Sequence, residues 1–151
     1  MVLNEVLTKQ NVFTKIILKD GDKELSKELK VKVMRIRMAY TKIKKAFDEE
    51  VKEFTEELVP EELKELNNKS DRTQEENDRM EELTNKVNME YQEFLIQKGN
   101  EEVKDIPEDT LTMDEYSDIL DVNSGNDVEI NGNKISAVDF LEIVYDLFVK
   151  E

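Results

Sequence analysis

Residues 23–59 read KELSKELKVKVMRIRMAYTKIKKAFDEEVKEFTEELV, and the spacing of their apolar members decides the fold class. Leu25, Leu29, Val33, Ile36, Tyr40, Ile43, Phe47, Val51, Phe54 and Leu58 follow one another at steps of three and four, the arithmetic of one helical face. Their mean spacing is about 3.67 residues, and Leu25, Ile36, Phe47 and Leu58 fall on an 11-residue repeat. A strict heptad would impose left-handed supercoiling, so this stripe predicts a nearly straight rod or one with a slight right-handed twist. At the helical rise per residue the rod is about 50 Å long. Pro60 disfavours helical backbone at Val59 and sets its end.

Beyond Pro60, residues 61–66 can restart a short helix, and Asn67, Asn68, Lys69, Ser70, Asp71 and Arg72 read as a polar loop. A second long helix is predicted from about Gln74 to Lys98, with Met80, Leu83, Val87, Tyr91, Phe94 and Leu95 on one side and Gly99 as its stop. A connection of this length returns it antiparallel to the first helix. Upstream, Leu3, Val6, Leu7, Phe13, Ile16 and Ile17 stand at helical spacing between Val2 and Lys19, ended by Asp20 and Gly21. Residues 12–18 are also rich in β-branched and aromatic side chains, so a strand competes there.

From Asn100 the chain has more Asp, Asn and Gly and shorter elements. Thr112 can cap a short helix through about Leu120. Val128–Ile130 and Lys134–Ile135 flank Asn131-Gly132, a pair that tolerates positive φ and signals a hairpin. Ser136 with Asp139 three residues later resembles a capping box before a last helix bearing Val138, Leu141, Val144, Tyr145 and Phe148. The expected fold is mainly α: an N-terminal helix, a long antiparallel helical hairpin and a small C-terminal α/β module with a β-hairpin. The expected division is a hairpin domain over residues 1–99 and an acidic module over 100–151, packed on the hairpin's open end.

Charge is distributed unevenly along the 151 residues, whose net charge is −15. The first 46 hold twelve bases against five acids, and the remainder holds ten bases against 32 acids. Such asymmetry bears on solubility and partner choice more than on fold. Charged residues make up 39% of the chain and mean hydropathy is −0.68, yet the apolar residues lie in periodic stripes, which argues for a folded protein. With no cysteine and no histidine, disulfides, thiolate metal sites, cysteine nucleophiles and the commonest general base are all excluded. No apolar run in the first 20 residues makes a signal-peptide core, and none approaches membrane-spanning length, so no membrane partner is expected.

The segment Asp121, Asn123, Gly125, Asp127, Glu129 has the look of a calcium loop but fails its spacing. Counting from Asp121 puts Asn126 where an EF-hand needs glycine and Gly132 where it needs a bidentate acid. The acidic pairs Glu49-Glu50, Glu56-Glu57, Glu61-Glu62, Glu75-Glu76 and Glu81-Glu82 read as solvated helix faces. No phosphate-cradling glycine loop or serine elbow occurs. The expectation is a protein without catalysis, cofactor, metal or small-molecule substrate.

The long helix carries bases first and acids second, opposite to the order its dipole prefers. Helix stability did not choose that order, so the charges answer to something else. One account is internal pairing with the 15 acids of residues 99–151; another is contact with neighbouring copies or a protein partner. The expected protein-binding residues are Lys30, Lys32, Arg35, Arg37, Lys42, Lys44 and Lys45 as one face, with Glu53, Glu57, Glu61 and Glu62 as the opposite pole. Nucleic acid fits this basic face poorly, because Tyr40 and Phe47 lie on the apolar stripe and the surrounding acids repel phosphate. The acidic stretch 48–82, with 15 acids against five bases, suggests as an alternative a DNA-mimic-like inhibitor of a host nuclease or DNA-binding protein.

The layout resembles a family of small uncharacterised proteins encoded by tailed bacteriophages. The resemblance rests on the N-terminal helix over residues 2–18, on the basic-then-acidic helix with Tyr40, Lys44, Lys45, Phe47, Glu50 and Phe54, and on the closing VEINGNKISAVDFLEIV of residues 128–144. The acidic middle over residues 61–79 departs from that pattern as an insertion at the hairpin tip. The resemblance implies a phage origin, a place in the host cytoplasm or the virion, and a role in virion assembly or as a virion-associated structural component. Its implied partners are other phage structural proteins or copies of itself.

Overall fold

The apolar stripe forms a single unbroken helix in the computed structural model, which describes residues 1–150. In chain order the elements are α1 (Leu3–Phe13), β1 (Lys19–Asp20), β2 (Lys23–Glu24), α2 (Lys27–Leu58), α3 (Glu61–Asn68), α4 (Gln74–Gly99), α5 (Met113–Asn123), β3 (Val128–Ile130), β4 (Asn133–Ile135) and α6 (Ala137–Phe148). The fold is mainly α, with a long helical pair and a small C-terminal module that includes a two-stranded sheet. The Ser26 hydroxyl accepts from the Leu29 N–H to start α2, and extended backbone at Val59, before Pro60, ends it. Thr73 and Thr112 open α4 and α5 with reciprocal capping boxes to Glu76 and Glu115. Asn131 and Gly132 both take positive φ, 52° and 79°, as a tight hairpin turn between β3 and β4 requires.

The chain divides into a head and an arm. In the arm, the second half of α2 runs antiparallel to α4. Phe54 stacks on Phe94 with ring centroids 4.0 Å apart, and Lys98 meets Glu50 at 2.7 Å, so four residues back along α2 match four forward along α4. A small cluster of Leu63, Leu66 and Leu83, with Val59, Met80 and Val87 against it, closes the far end.

In the head, α1, the first half of α2, α5, β3 and α6 share one core. Val6, Phe13, Ile16, Val33, Ile36, Tyr40, Leu111, Ile119, Phe140 and Val144 all sit in it with little or no exposure. This core draws on both sides of the change in composition at residues 99 and 100. Phe13 and Phe148 meet edge to face at 4.9 Å.

Three local features depart from the sequence reading. The first helix stops at Phe13, five residues before Leu18, and residues 12–18 form no strand. Its end is held by side chains from elsewhere: the Arg37 guanidinium donates to the carbonyls of Phe13 and Ile16, and Asn123 brackets Ile17. The long helix begins at Lys27 because residues 19–24 are diverted into the hairpin β1–β2, turned at Gly21 with φ 61°. Gly99 ends α4 without positive φ; its buried backbone faces Asn4 so closely that a Cβ would lie 2.4 Å from that side chain.

Helix, two-stranded hairpin and serine-capped helix therefore occur twice, as α1-β1-β2-α2 and as α5-β3-β4-α6. The two units cross-connect. Asn11 of α1 donates to Asn131 in the second hairpin's turn, while Asn126, just after α5, donates to Asp20 of the first hairpin.

Candidate functional site

The basic half of α2 presents several fates for its cations. Lys30 pairs with Glu24, and Lys44 pairs with Asp48 one turn on at 2.7 Å. Lys32 reaches both the Thr110 carbonyl and Glu115 at 2.8 Å, tying α2 to the start of α5. Arg37 lies half-buried on the end of α1, and that burial lowers its pKa. Lys32 and Arg37 thus serve the head's own structure, while Lys30 and Lys44 make local pairs at the surface. Arg35, Lys42 and Lys45 are exposed and make no ion pair with any described residue, and Lys27 joins them. At the opposite pole, Glu62 takes the Arg79 fork in two bonds of 2.9 and 3.1 Å, while Glu53, Glu57 and Glu61 are exposed without an ion pair among the described residues.

The sequence reading missed the apolar residues among the free cations. Val31, Met34 and Met38 are 55%, 44% and 69% exposed and stand out as an apolar ridge along α2; between it and Leu18, with Lys30 and Arg35, lies a shallow apolar hollow of ≈ 500 Å³. Steps of three and four put them on the side of α2 opposite Leu29, Val33, Ile36 and Tyr40. That second stripe was visible in the sequence, overshadowed by the longer one.

A second apolar surface lies between α5 and α6. A groove of ≈ 370 Å³ is lined by Tyr116, Leu120, Val138, Leu141, Glu142 and Tyr145, with Val138 the most exposed at 75%. Tyr116 and Tyr145 meet edge to face at 5.3 Å, and the Tyr116 hydroxyl donates to the Leu141 carbonyl at 2.8 Å, which fixes the groove's floor. Desolvation, with the carboxylates of Asp146 and Glu142 nearby, raises the Tyr116 phenol's pKa. Glu142 lines the groove, Asp146 lies near the Tyr116 phenol, and Asp139 shares their side of α6; none makes an ion pair with a described residue, so this apolar surface has an uncompensated acidic rim.

Inside the head, a largely buried polar cluster joins Lys9, Tyr40 and Asp109. Lys9 bonds Asp109 at 2.9 Å and lies 5.6 Å from the Phe148 ring centroid; the Tyr40 hydroxyl donates to the same carboxylate. Burial, then that hydrogen bond and the negative charge, push the Tyr40 phenol far above its ordinary pKa. A phenol so held retains its proton and acts as a structural donor rather than a base. The calcium-like stretch is likewise employed in structure. Asn123 is 2% exposed, its Oδ1 accepts from the Ile17 N–H at 2.7 Å, and its Nδ2 donates to the carbonyls of Ile17 and Ile119 at 3.1 and 2.8 Å. Asp121 faces Lys23 and Asp127 faces Lys134, each at 3.6 Å. Among the described residues no group of three or more acids is arranged to hold a metal ion.

Folding also redistributes the charge. The basic first 46 residues pack with the acidic residues from 99 onward, which leaves the head mildly acidic, while residues 47–98 carry 17 acids against seven bases. The expected positive pole is therefore not one end of a rod. It survives as a local patch on the outer side of α2.

No helix among the described residues is long and apolar enough to cross a membrane. The fold defines an architecture, an α/β head carrying a two-helix arm, with two charged apolar faces on the head. Comparison with protein-family models, with curated proteins and with solved structures finds no match to this chain.

Proposed function

We propose that this is a non-enzymatic phage protein that docks onto protein surfaces through charge-segregated contacts, in virion assembly or as a virion-associated structural component. The observation that carries the reading is the outer side of α2, where Val31, Met34 and Met38 stand exposed among Lys27, Arg35, Lys42 and Lys45, none of them ion-paired within the described chain. A contiguous apolar surface rimmed by charge is typical of a protein contact, and a rigid helix presents it at little entropic cost. The resemblance in residues 2–18, 40–54 and 128–144 supplies the phage setting and the choice between copies of itself and other structural proteins as partners.

A second reading is favoured by a separate observation. The arm, residues 47–98, holds 17 acids against seven bases, most of them exposed, and such a surface can occupy the basic groove of a nuclease or DNA-binding protein.

Native mass measurement at about 50 and about 500 mM salt, alone and with short duplex DNA, separates the two, because exposed charge contacts are screened at the higher strength. Salt-labile oligomers, or salt-labile complexes with a phage structural protein, support docking. A strict monomer that displaces DNA from a host nuclease supports mimicry instead. Substrate turnover by the purified chain overturns both.

A further inference from the structure

The ridge on α2 and the groove between α5 and α6 are complementary. The ridge is apolar along its centre and basic at its rim; the groove is apolar along its floor and acidic at its rim. They share no residue. Their lengths match as well. Val31 and Met38 bound the ridge seven residues apart, and Val138 and Tyr145 lie seven apart along α6, each pair spanning about 10 Å of helix. The flanking charges repeat at that interval, Arg35 and Lys42 on one surface and Asp139 and Asp146 on the other. None of these four charges makes an ion pair with a described residue.

We infer that the α2 ridge of one copy seats in the α5–α6 groove of the next, so that copies of this chain join head to tail through two different surfaces. This rests on the docking reading and names its partner as a second copy. A contact between unlike surfaces is heterologous: it leaves a free ridge at one end and a free groove at the other, and it grows into a ring or an open filament. Seating Met34 and Met38 against Leu120, Val138 and Tyr145 removes apolar surface from water, and Arg35 and Lys42 meet Asp139, Glu142 and Asp146 around it. The acidic arm takes no part and remains outside the line of contacts.

Two single substitutions and their mixture test this, in the full chain, by sedimentation and native mass at low and high salt. Met38→Glu places a carboxylate on the ridge against the acidic rim, and Val138→Asp buries one in the groove. Both positions are exposed, so circular dichroism and melting should match the unsubstituted chain. The unsubstituted chain is expected to form salt-sensitive oligomers, and each variant alone to be a monomer. Mixed, the variants should form a 1:1 dimer and nothing larger, because one intact groove meets one intact ridge. Oligomers that persist in either variant overturn the inference while leaving docking between copies in place. A monomeric chain at up to about 1 mM, too weak for a specific contact, overturns it and leaves docking to another protein. Substrate turnover overturns the docking reading itself.

Discussion

One apolar stripe on α2 meets two different ends. Leu29, Val33, Ile36 and Tyr40 are buried in the head, whereas Ile43, Phe47, Val51, Phe54 and Leu58 remain half-exposed toward and along the arm. The side chains are comparable in size and hydrophobicity; the number of covering elements differs. In the head α1, α6 and the loop through Asp109 and Leu111 close over the helix, while in the arm α4 alone covers one side. Burial stabilises by about 25 cal/mol per Å² of apolar surface removed, so the arm gains less per residue from the same pattern. Periodicity shows which face of a helix is apolar. It does not show how completely the rest of the chain covers that face.

The largest effect that would break this contrast comes from the head. Phe140→Ala removes a fully buried ring and should cost about 3–5 kcal/mol in denaturant unfolding; a loss under 1 kcal/mol would make the head as loosely packed as the arm. Asn123→Ala leaves the Ile17 N–H and the carbonyls of Ile17 and Ile119 without their side-chain partner, at about 2–3 kcal/mol, and it should loosen residues 14–18 first. Phe54→Ala in the arm should cost about 1–2 kcal/mol by losing the stack on Phe94. Hydrogen exchange sharpens that prediction: amides of residues 47–98 should open faster while those around Val33 and Phe140 keep their protection. Equal acceleration in both regions would mean that head and arm unfold as one unit.

Smaller effects test the charges. Burial raises the Glu115 carboxyl, but the Lys32 ammonium and the Thr112 N–H outweigh it and hold the pKa below the ordinary 4.5. A depressed folded pKa means that this stability is present above pH 4.5 and is lost as pH falls through the folded value. Glu115→Gln should therefore lower stability near neutrality and flatten the acid limb of the stability curve; an unchanged limb refutes the assignment. The smallest effect belongs to the arm's exposed fork. Arg79→Gln should leave the melting temperature unchanged, because solvent screens the Arg79 pair with Glu62.

Much of the architecture was legible from local rules. Pro60, Thr73, Thr112, the Asn131-Gly132 turn and Ser136 all mark boundaries through backbone chemistry that neighbours a few residues away determine, whereas the loop expected over residues 67–72 begins only at Lys69 because α3 runs through Asn68. Where the reading went astray, a distant partner decided. The first helix ends at Phe13 because Arg37 and Asn123 take the backbone groups beyond it, from 21 to 106 residues away. The β1–β2 hairpin was hidden because its strands are two residues long and exposed, leaving no alternation to detect. A comparison of Gly21 and Ser26 with Gly132 and Ser136 could have revealed it, since both pairs turn a hairpin and cap a helix. Among the expected contact residues, Arg35, Lys42 and Lys45 stay available while Lys30, Lys32, Arg37 and Lys44 are engaged within the chain.

The helices, their caps, the hairpin turn at Asn131-Gly132 and the absence of thiol and imidazole chemistry follow from residue type and short-range spacing alone. Tertiary structure decided which charges remain free. Ion pairing depends on distances between residues far apart in the chain: folding the basic first third against the acidic last third brings Lys9, Lys23 and Lys32 to Asp109, Asp121 and Glu115. Among the surfaces left for a partner is the strip of α2 on which Arg35, Lys42 and Lys45 make no ion pair with a described residue.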